Sequence, residues 1–320
     1  MNAEIKNAVI FPGQGSQKIG MGKDLADKYS AAREVFEAVD DALDMHLSEL
    51  IWTGDINKLT LTENAQPALM ASSMAIMAAL KSEGIKLQPD YMAGHSLGEY
   101  TALCASGSIS LSDTARLLRT RGLAMQSCVK NGEGAMAAIL GLSAKQIQEV
   151  LDKCSGHGVC SIANDNDPTQ VVISGHRAAV DKVIDLAKAS GARRALSLKV
   201  SAPFHCKIMQ PAAEIMKEAL SSITINKPNV PIVMNTLAEA VTETEKIKLI
   251  LVDQIVGMVR WRETINYMFT HGVSTFYEVG VGNVLSGMVK RITKEVRTVN
   301  VVSPEDIKGT LGGIISDSTH

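Results

Sequence analysis

The chain has 320 residues, 46% of them hydrophobic, and a formal net charge of −2. That length makes one large domain plus a smaller one, and the near-neutral charge gives no global field to attract nucleic acid or an anionic membrane, so an anionic ligand must be held by local cations. No stretch approaches the roughly 20 apolar residues that span a bilayer, the apolar run after the polar Met1 to Asn7 segment is too short for a signal-peptide core, and five cysteines at 104, 128, 154, 160 and 206 make no disulfide framework; the expected compartment is the cytoplasm.

Strand-like runs alternate with helical patterns over most of the chain, which predicts an α/β fold with a mainly parallel sheet. Ala8 to Phe11 reads as the first strand and ends in the loop Pro12-Gly13-Gln14-Gly15-Ser16-Gln17. Phosphate-loop patterns fail there, because position 18 is Lys18 and Gly20 is followed by Met21. Such a loop can instead aim backbone N–H groups at a developing oxyanion. Amphipathic helices are expected at about 24–44, 67–83 and 111–127, with Ser112 and Asp113 in the first turn of the last. Between the second and third, the short apolar run Tyr91-Met92-Ala93 leads into Gly94-His95-Ser96-Leu97-Gly98. A serine between two glycines at that spacing fits a strand-to-helix elbow that exposes a nucleophile, followed by a helix from Leu97 to Ala105.

From about 134 the rhythm becomes strand Ala135–Leu140, helix Lys145–Lys153, strands Val159–Ala163 and Gln170–Ser174, helix Ala178–Ala189 and strand Arg194–Val200. That βαββαβ order is a ferredoxin-like unit, expected as a small domain over 128–200 inserted between the two parts, 1–127 and 201–320, of the large one. Asn164-Asp165-Asn166-Asp167-Pro168 reads as a turn. Cys154, His157 and Cys160 have zinc-like spacing but no fourth ligand nearby, so no metal is expected. The chain returns through Ser201-Ala202-Pro203-Phe204-His205 to helices at about 209–221, 244–256, 262–271 and 284–294, with strands at about 231–235 and 275–279 completing the main sheet. Lys290, Arg291 and Lys294 form a cationic stripe that suits either an acidic partner or a solvated face.

A serine hydroxyl becomes a competent nucleophile when a neighbouring base takes its proton. Of the seven histidines, His95 is adjacent to Ser96 and points the opposite way along the chain. His46, His157, His176, His271 and His320 have no reactive group around them in sequence. His205 ends an irregular loop at the boundary of the two expected domains, where clefts form; it is either the base or a cap for the following helix.

Five strings taken together are similar to the malonyl-CoA:acyl carrier protein transacylase family: Phe11-Pro12-Gly13-Gln14-Gly15-Ser16-Gln17, Gly94-His95-Ser96-Leu97-Gly98-Glu99-Tyr100, Thr120-Arg121-Gly122, Ser201-Ala202-Pro203-Phe204-His205-Cys206 and Leu251-Val252-Asp253-Gln254-Ile255. Their order and separations match, and the similarity runs from Ala8 to about Val301. The resemblance implies a hydrolase-like α/β domain with an inserted ferredoxin-like subdomain. It implies Ser96 as the nucleophile that accepts the malonyl group, His205 as its base, and the backbone carbonyl of Gln254 orienting the imidazole in place of a carboxylate. Gln14 and Leu97 match the backbone N–H groups of the oxyanion hole, and Arg121 the partner of the malonyl carboxylate, for which a planar bidentate fork suits better than lysine. Read without the family, Arg121 would be a solvated helix arginine beside Arg116 and Arg119. His95, Asn164 and Asn166 match cleft positions, and Phe204 beside the base is expected to exclude an α-methyl branch on the substrate. The implied reaction passes malonyl from malonyl-CoA to the phosphopantetheine thiol of acyl carrier protein for fatty acid elongation, in a monomer with no metal or redox cofactor. A serine hydrolase or thioesterase, a malonyl acyltransferase of polyketide synthesis and a non-catalytic carrier-docking module are the alternatives.

Overall fold

The computed structural model describes residues 6–130, 132–154, 156, 158–198, 200 and 202–309. Its first strand, β1 (Lys6–Phe11), carries four consecutive residues, Ala8, Val9, Ile10 and Phe11, with no exposed surface. A strand so apolar must be covered on both faces, and alternation along it divides the interior in two. Val9 and Phe11 enter one core, while Ala8 and Ile10 enter another that contains Trp261, Ile265, Phe276 and Val289.

After β1 come α1 (Lys23–Lys28), α2 (Ser30–Leu43), α3 (Leu47–Thr53), α4 (Ile56–Thr60) and α5 (Thr62–Ser82). The single helix expected at 24–44 is broken because Tyr29 takes an extended conformation, φ −117° and ψ 117°, with its ring buried. The helix expected to start at 67 begins at Thr62, so Pro67 lies in its second turn and not at its start. Strand β2 (Tyr91–Gly94) feeds α6 (Leu97–Ala105), and α7 (Leu111–Ser127) is capped by Ser110, whose Oγ accepts from the Asp113 N–H at 3.1 Å.

Next come β3 (Gly134–Leu140), α8 (Ala144–Asp152), β4 (Cys160–Asp167), β5 (Gln170–His176), α9 (Arg177–Ala189) and β6 (Arg194–Ser197). The four strands form their own antiparallel sheet in the order β4-β5-β3-β6. Here one expectation is corrected, since Asn164 to Asp167 are not a turn but the buried end of β4. The backbone here and the side chains of Asp165, Asn166 and Asp167 find partners across the boundary with the rest of the molecule. Val259 N–H donates to Ala163 O at 2.8 Å and Asp165 N–H to Val259 O at 2.9 Å. The Asp165 carboxylate takes a forked contact from Arg262, 2.7 Å from Nη2 and 3.0 Å from Nε, and Asp167 accepts from Arg291 Nε at 2.9 Å. The cationic stripe thus has Arg291 committed to Asp167.

A short turn of 3-10 helix (Lys207–Met209) and α10 (Gln210–Ser221) follow, then β7 (Ile232–Val233), β8 (Ala240–Val241), α11 (Thr244–Val256), α12 (Trp261–Thr270), β9 (Val273–Val279), α13 (Val284–Ile292) and β10 (Arg297–Val301). The main sheet has the order β10-β9-β1-β2-β7-β8 and is parallel except where β8 turns back on β7. Its edge strands β8 and β10 escape a pattern search because one is two residues long and the other, Arg-Thr-Val-Asn-Val, is half polar. His157 and His320 lie outside the described residues. Among the described residues no group of three or more His, Cys, Asp or Glu could hold a metal ion, and no helix is long and apolar enough to cross a membrane.

Candidate active site

The strand-to-helix turn after β2 is the tightest place in the fold. Ser96 has φ 54° and ψ −108°, a conformation that costs a non-glycine residue about 1–3 kcal/mol and persists only when its surroundings enforce it. They do so through the flanking glycines: a Cβ on Gly94 would lie 1.8 Å from Gly98 O, and one on Gly98 would lie 2.4 Å from Phe11 O. Asn235, just beyond β7, braces the turn from the side. Its Oδ1 accepts from the Ser96 N–H at 2.8 Å and its Nδ2 donates to Gly94 O at 2.7 Å.

His205 arrives from the loop before α10 with φ 59° and only 4% of its surface exposed. Its Nδ1 lies 2.8 Å from Gln254 O and its Nε2 lies 2.7 Å from Ser96 Oγ. A carbonyl only accepts, so Nδ1 carries the proton and Nε2 is left free to take one from the serine hydroxyl. Burial, helped by the Arg121 charge, pushes the imidazole down to about 3, so it stays neutral through the physiological range.

Arg121 is 2% exposed, against the solvated reading of its helix. Arg116 pairs with Asp113 at the surface and Arg119 reaches the backbone O of Glu63, but one step round α7 the third guanidinium points inward. There Nη1 donates to Gln66 Oε1 at 2.7 Å, and Nη2 donates to Gln254 Oε1 at 2.9 Å and to Ser96 Oγ at 3.1 Å. Close approach of α7 to α5 permits this: a Cβ on Gly122 would lie 2.4 Å from the Glu63 Cα.

A cleft of about 160 Å³ opens over the serine. Of the residues singled out from sequence, Gln14, His95, Ser96, Leu97, Arg121, Asn164, Phe204 and His205 line it, and Met136, Leu198 and Val200 add apolar wall beside Phe204. Leu97 is the first residue of α6, a position whose N–H has no acceptor within the helix. The Gln14 side chain accepts from Thr62 Oγ1 at 2.9 Å, which fastens the loop after β1 to the start of α5. His95 does point away from the base, its Nε2 2.8 Å from Asn166 Oδ1 and its ring edge-on to Trp261. Asn166 therefore stands behind the cleft wall and Asn164 forms part of it.

Gln254 contributes more than the backbone carbonyl expected of it. Its side-chain Nε2 donates to Ser96 O at 3.0 Å and to Glu99 Oε1 at 3.1 Å, while its Oε1 receives Arg121. Glu99 is wholly buried in the first turn of α6, and its Oε2 accepts the Asn235 N–H at 2.5 Å. Burial pushes this carboxyl above the usual carboxylate range, against the pull of the Asn235 N–H, the Arg121 charge and the Gln254 amide, but each of its two oxygens faces a donor, an arrangement that the ionised carboxylate satisfies and a carboxylic acid does not. Glu99, Gln66 and Asn235 join the site only in the folded structure. Glu99 lies within the Gly94 to Tyr100 string, whereas Gln66 and Asn235 sit in stretches without any motif.

A half-buried serine on an α/β elbow, with a buried histidine and a buried arginine against its hydroxyl, defines the class of serine acyl-transfer enzymes. The acyl transferase domain model matches residues 9–312, and the chain belongs to that family. It is 47% identical to the malonyl CoA-acyl carrier protein transacylase of Bacillus subtilis, over 95% of each chain. Among solved structures it is similar to the acyl-carrier-protein-S-malonyltransferase of Bartonella henselae, with 48% identity, a TM-score of 0.94 and coverage of 97% of this chain and 99% of that one. A malonyl-transacylase in complex with a type II PKS acyl-carrier protein is also similar, with 38% identity, a TM-score of 0.94 and coverage of 96% and 99%.

Proposed function

We propose that this chain moves the malonyl group of malonyl-CoA onto the phosphopantetheine thiol of an acyl carrier protein, supplying fatty acid elongation. The observation that carries this reading is the fully buried Arg121, whose Nη2 lies 3.1 Å from the Ser96 hydroxyl. A buried cation at that place suits an acyl group with a free carboxylate, and the names of the relatives point the same way.

Ser96 Oγ attacks the thioester carbon while His205 Nε2 takes its proton, and the oxyanion so formed rests on the N–H groups of Gln14 and Leu97. The C–S bond breaks, the coenzyme A sulfur leaves with the proton held by His205, and the malonyl group remains on the serine as an ester. The carrier thiol then gives its proton to His205 and attacks the ester, and the proton returns to Ser96 as malonyl-carrier departs. Every group used belongs to one chain, so a monomer suffices, and none of the steps calls for a metal or redox cofactor. The Phe204 ring lines the cleft next to the base in sequence, and it would crowd an α-methyl branch on the acyl group. Nothing in the chemistry requires more than the cytoplasm.

Mixing the protein with malonyl-CoA should give a malonyl adduct on Ser96, read by mass spectrometry, that persists until a carrier protein with its phosphopantetheine is added. Turnover to free malonate would indicate a hydrolase, and no adduct a docking module. Arg121→Ala should lower the ratio of malonyl-CoA to acetyl-CoA specificity constants by two or more decades. The malonyl carboxylate would then be buried without its counter-charge, at a cost on the order of 3–5 kcal/mol that a neutral acetyl group does not meet. An unmoved ratio would place carboxylate recognition elsewhere.

A further inference from the structure

Ser96-Leu97-Gly98-Glu99 is a Ser-x-x-Glu string opening a helix, the pattern of a capping box, in which the serine side chain caps the helix and the glutamate reaches back to the serine N–H. In this molecule the box is open. Ser96 makes no side-chain cap, and its hydroxyl is 2.7 Å from His205 Nε2. Its N–H is satisfied by Asn235 Oδ1, which releases Glu99 for other partners. Glu99 instead faces two donors, the Asn235 N–H and Gln254 Nε2, at 2.5 and 3.1 Å.

The consequence falls on Gln254, whose amide could in principle sit either way round. One end meets two acceptors, Ser96 O and Glu99 Oε1, and the other meets the Arg121 Nη2 donor. We infer that Glu99 is a positioning residue for carboxylate recognition: its carboxylate holds the Gln254 amide with Nε2 inward, so that Oε1 fixes the Arg121 guanidinium against Ser96. This inference rests on the malonyl-transfer reading above.

Glutamine, the isostere of Glu99, cannot accept from both the Asn235 N–H and Gln254 Nε2 with its two arms. The arm against the Asn235 N–H must remain an oxygen, so the other arm presents an NH2 group to Gln254 Nε2. If Gln254 keeps its orientation, two donors face each other there. If it flips, its NH2 faces the Arg121 donor and its oxygen faces Ser96 O. Each arrangement leaves a buried mismatch, and the second releases the guanidinium.

Glu99→Gln should therefore lower the malonyl-to-acetyl ratio of specificity constants by roughly tenfold to a hundredfold, the size of losing one hydrogen bond to a charged group. Acetyl transfer should fall much less. The reading that separates positioning from general damage is a double-mutant cycle with Gln254→Leu, which keeps the backbone carbonyl that holds His205. In that background Glu99→Gln should change the ratio by less than about twofold, because the residue through which it acts is gone. A thermal unfolding midpoint reports the fold separately. Should Glu99→Gln fail to fold, Glu99→Asp keeps the charge, draws the oxygen back from Gln254, and goes through the same cycle. An unchanged ratio in the single variant, or losses that multiply independently in the double variant, would overturn the inference. Absence of a malonyl adduct on the wild-type protein would overturn the functional reading instead.

Discussion

Ser96→Ala is expected to abolish malonyl transfer and the covalent adduct together. The two losses coincide because the hydroxyl at the elbow is the group placed 2.7 Å from the base and 3.1 Å from the guanidinium, whereas the Thr60 hydroxyl that also lines the cleft, at the end of α4, is hydrogen-bonded to neither. Alanine inherits the same positive φ, so the turn carries the same backbone strain and the fold should persist. Malonyl-CoA incubation followed by intact-mass measurement checks the adduct, and carrier acylation checks the turnover. A variant that still transferred at the wild-type rate would remove Ser96 from the reaction.

His205→Ala should slow acylation by about two to four decades, the usual contribution of a positioned general base. The same residue sets the pH behaviour. Its folded-state value, pushed down to about 3 by burial and by Arg121, lies below the ordinary 6.5 of an unfolded histidine. The free enzyme should keep its base through pH 5, and the acid limb of kcat/KM should lie well below 6. The stability effect has the matching sign. Below 6.5 the unfolded chain takes up a proton that the folded chain refuses, so stability falls as pH drops from 6.5 toward 3. His205→Ala removes that one proton and should flatten this part of the stability curve. An acylation profile with its acid limb near 6.5 would contradict the buried, neutral imidazole.

The residues legible in the sequence were those whose chemistry is carried by local pattern. The elbow is legible because Gly94 is demanded by a contact only four residues on, although Gly98 answers to Phe11 on the neighbouring strand, and β1 because four adjacent apolar side chains need two cores. His205 could be narrowed to a base or a helix cap, and the family resemblance supplied its role. What stayed hidden was set by distant partners. Arg121 looks like the exposed Arg116 on α7 until α5 covers it, and Asn164 to Asp167 look like a turn until Arg262, Arg291 and Val259 arrive from far along the chain. Gln66 and Asn235 carry no signal of their own, since an amide becomes informative only when the groups it must match are known. Tyr29 broke an expected helix by a tertiary choice that propensity does not encode.

Strand β4 divides its labour by parity: the even positions Asn164 and Asn166 serve the cleft side, and the odd positions Asp165 and Asp167 grip α12 and α13. Loss or gain of a single residue before Asn164 would exchange those duties, because a one-step slip turns every side chain to the opposite face. With one residue lost, Asp165 would turn to the cleft and Asp167 to the wall behind it, and Asn166 would face an arginine left without its counter-charge. Point changes along this strand alter one contact at a time, whereas a frame shift of one reverses the sign of the whole wall. A changed residue here therefore costs one contact, and a changed length costs several.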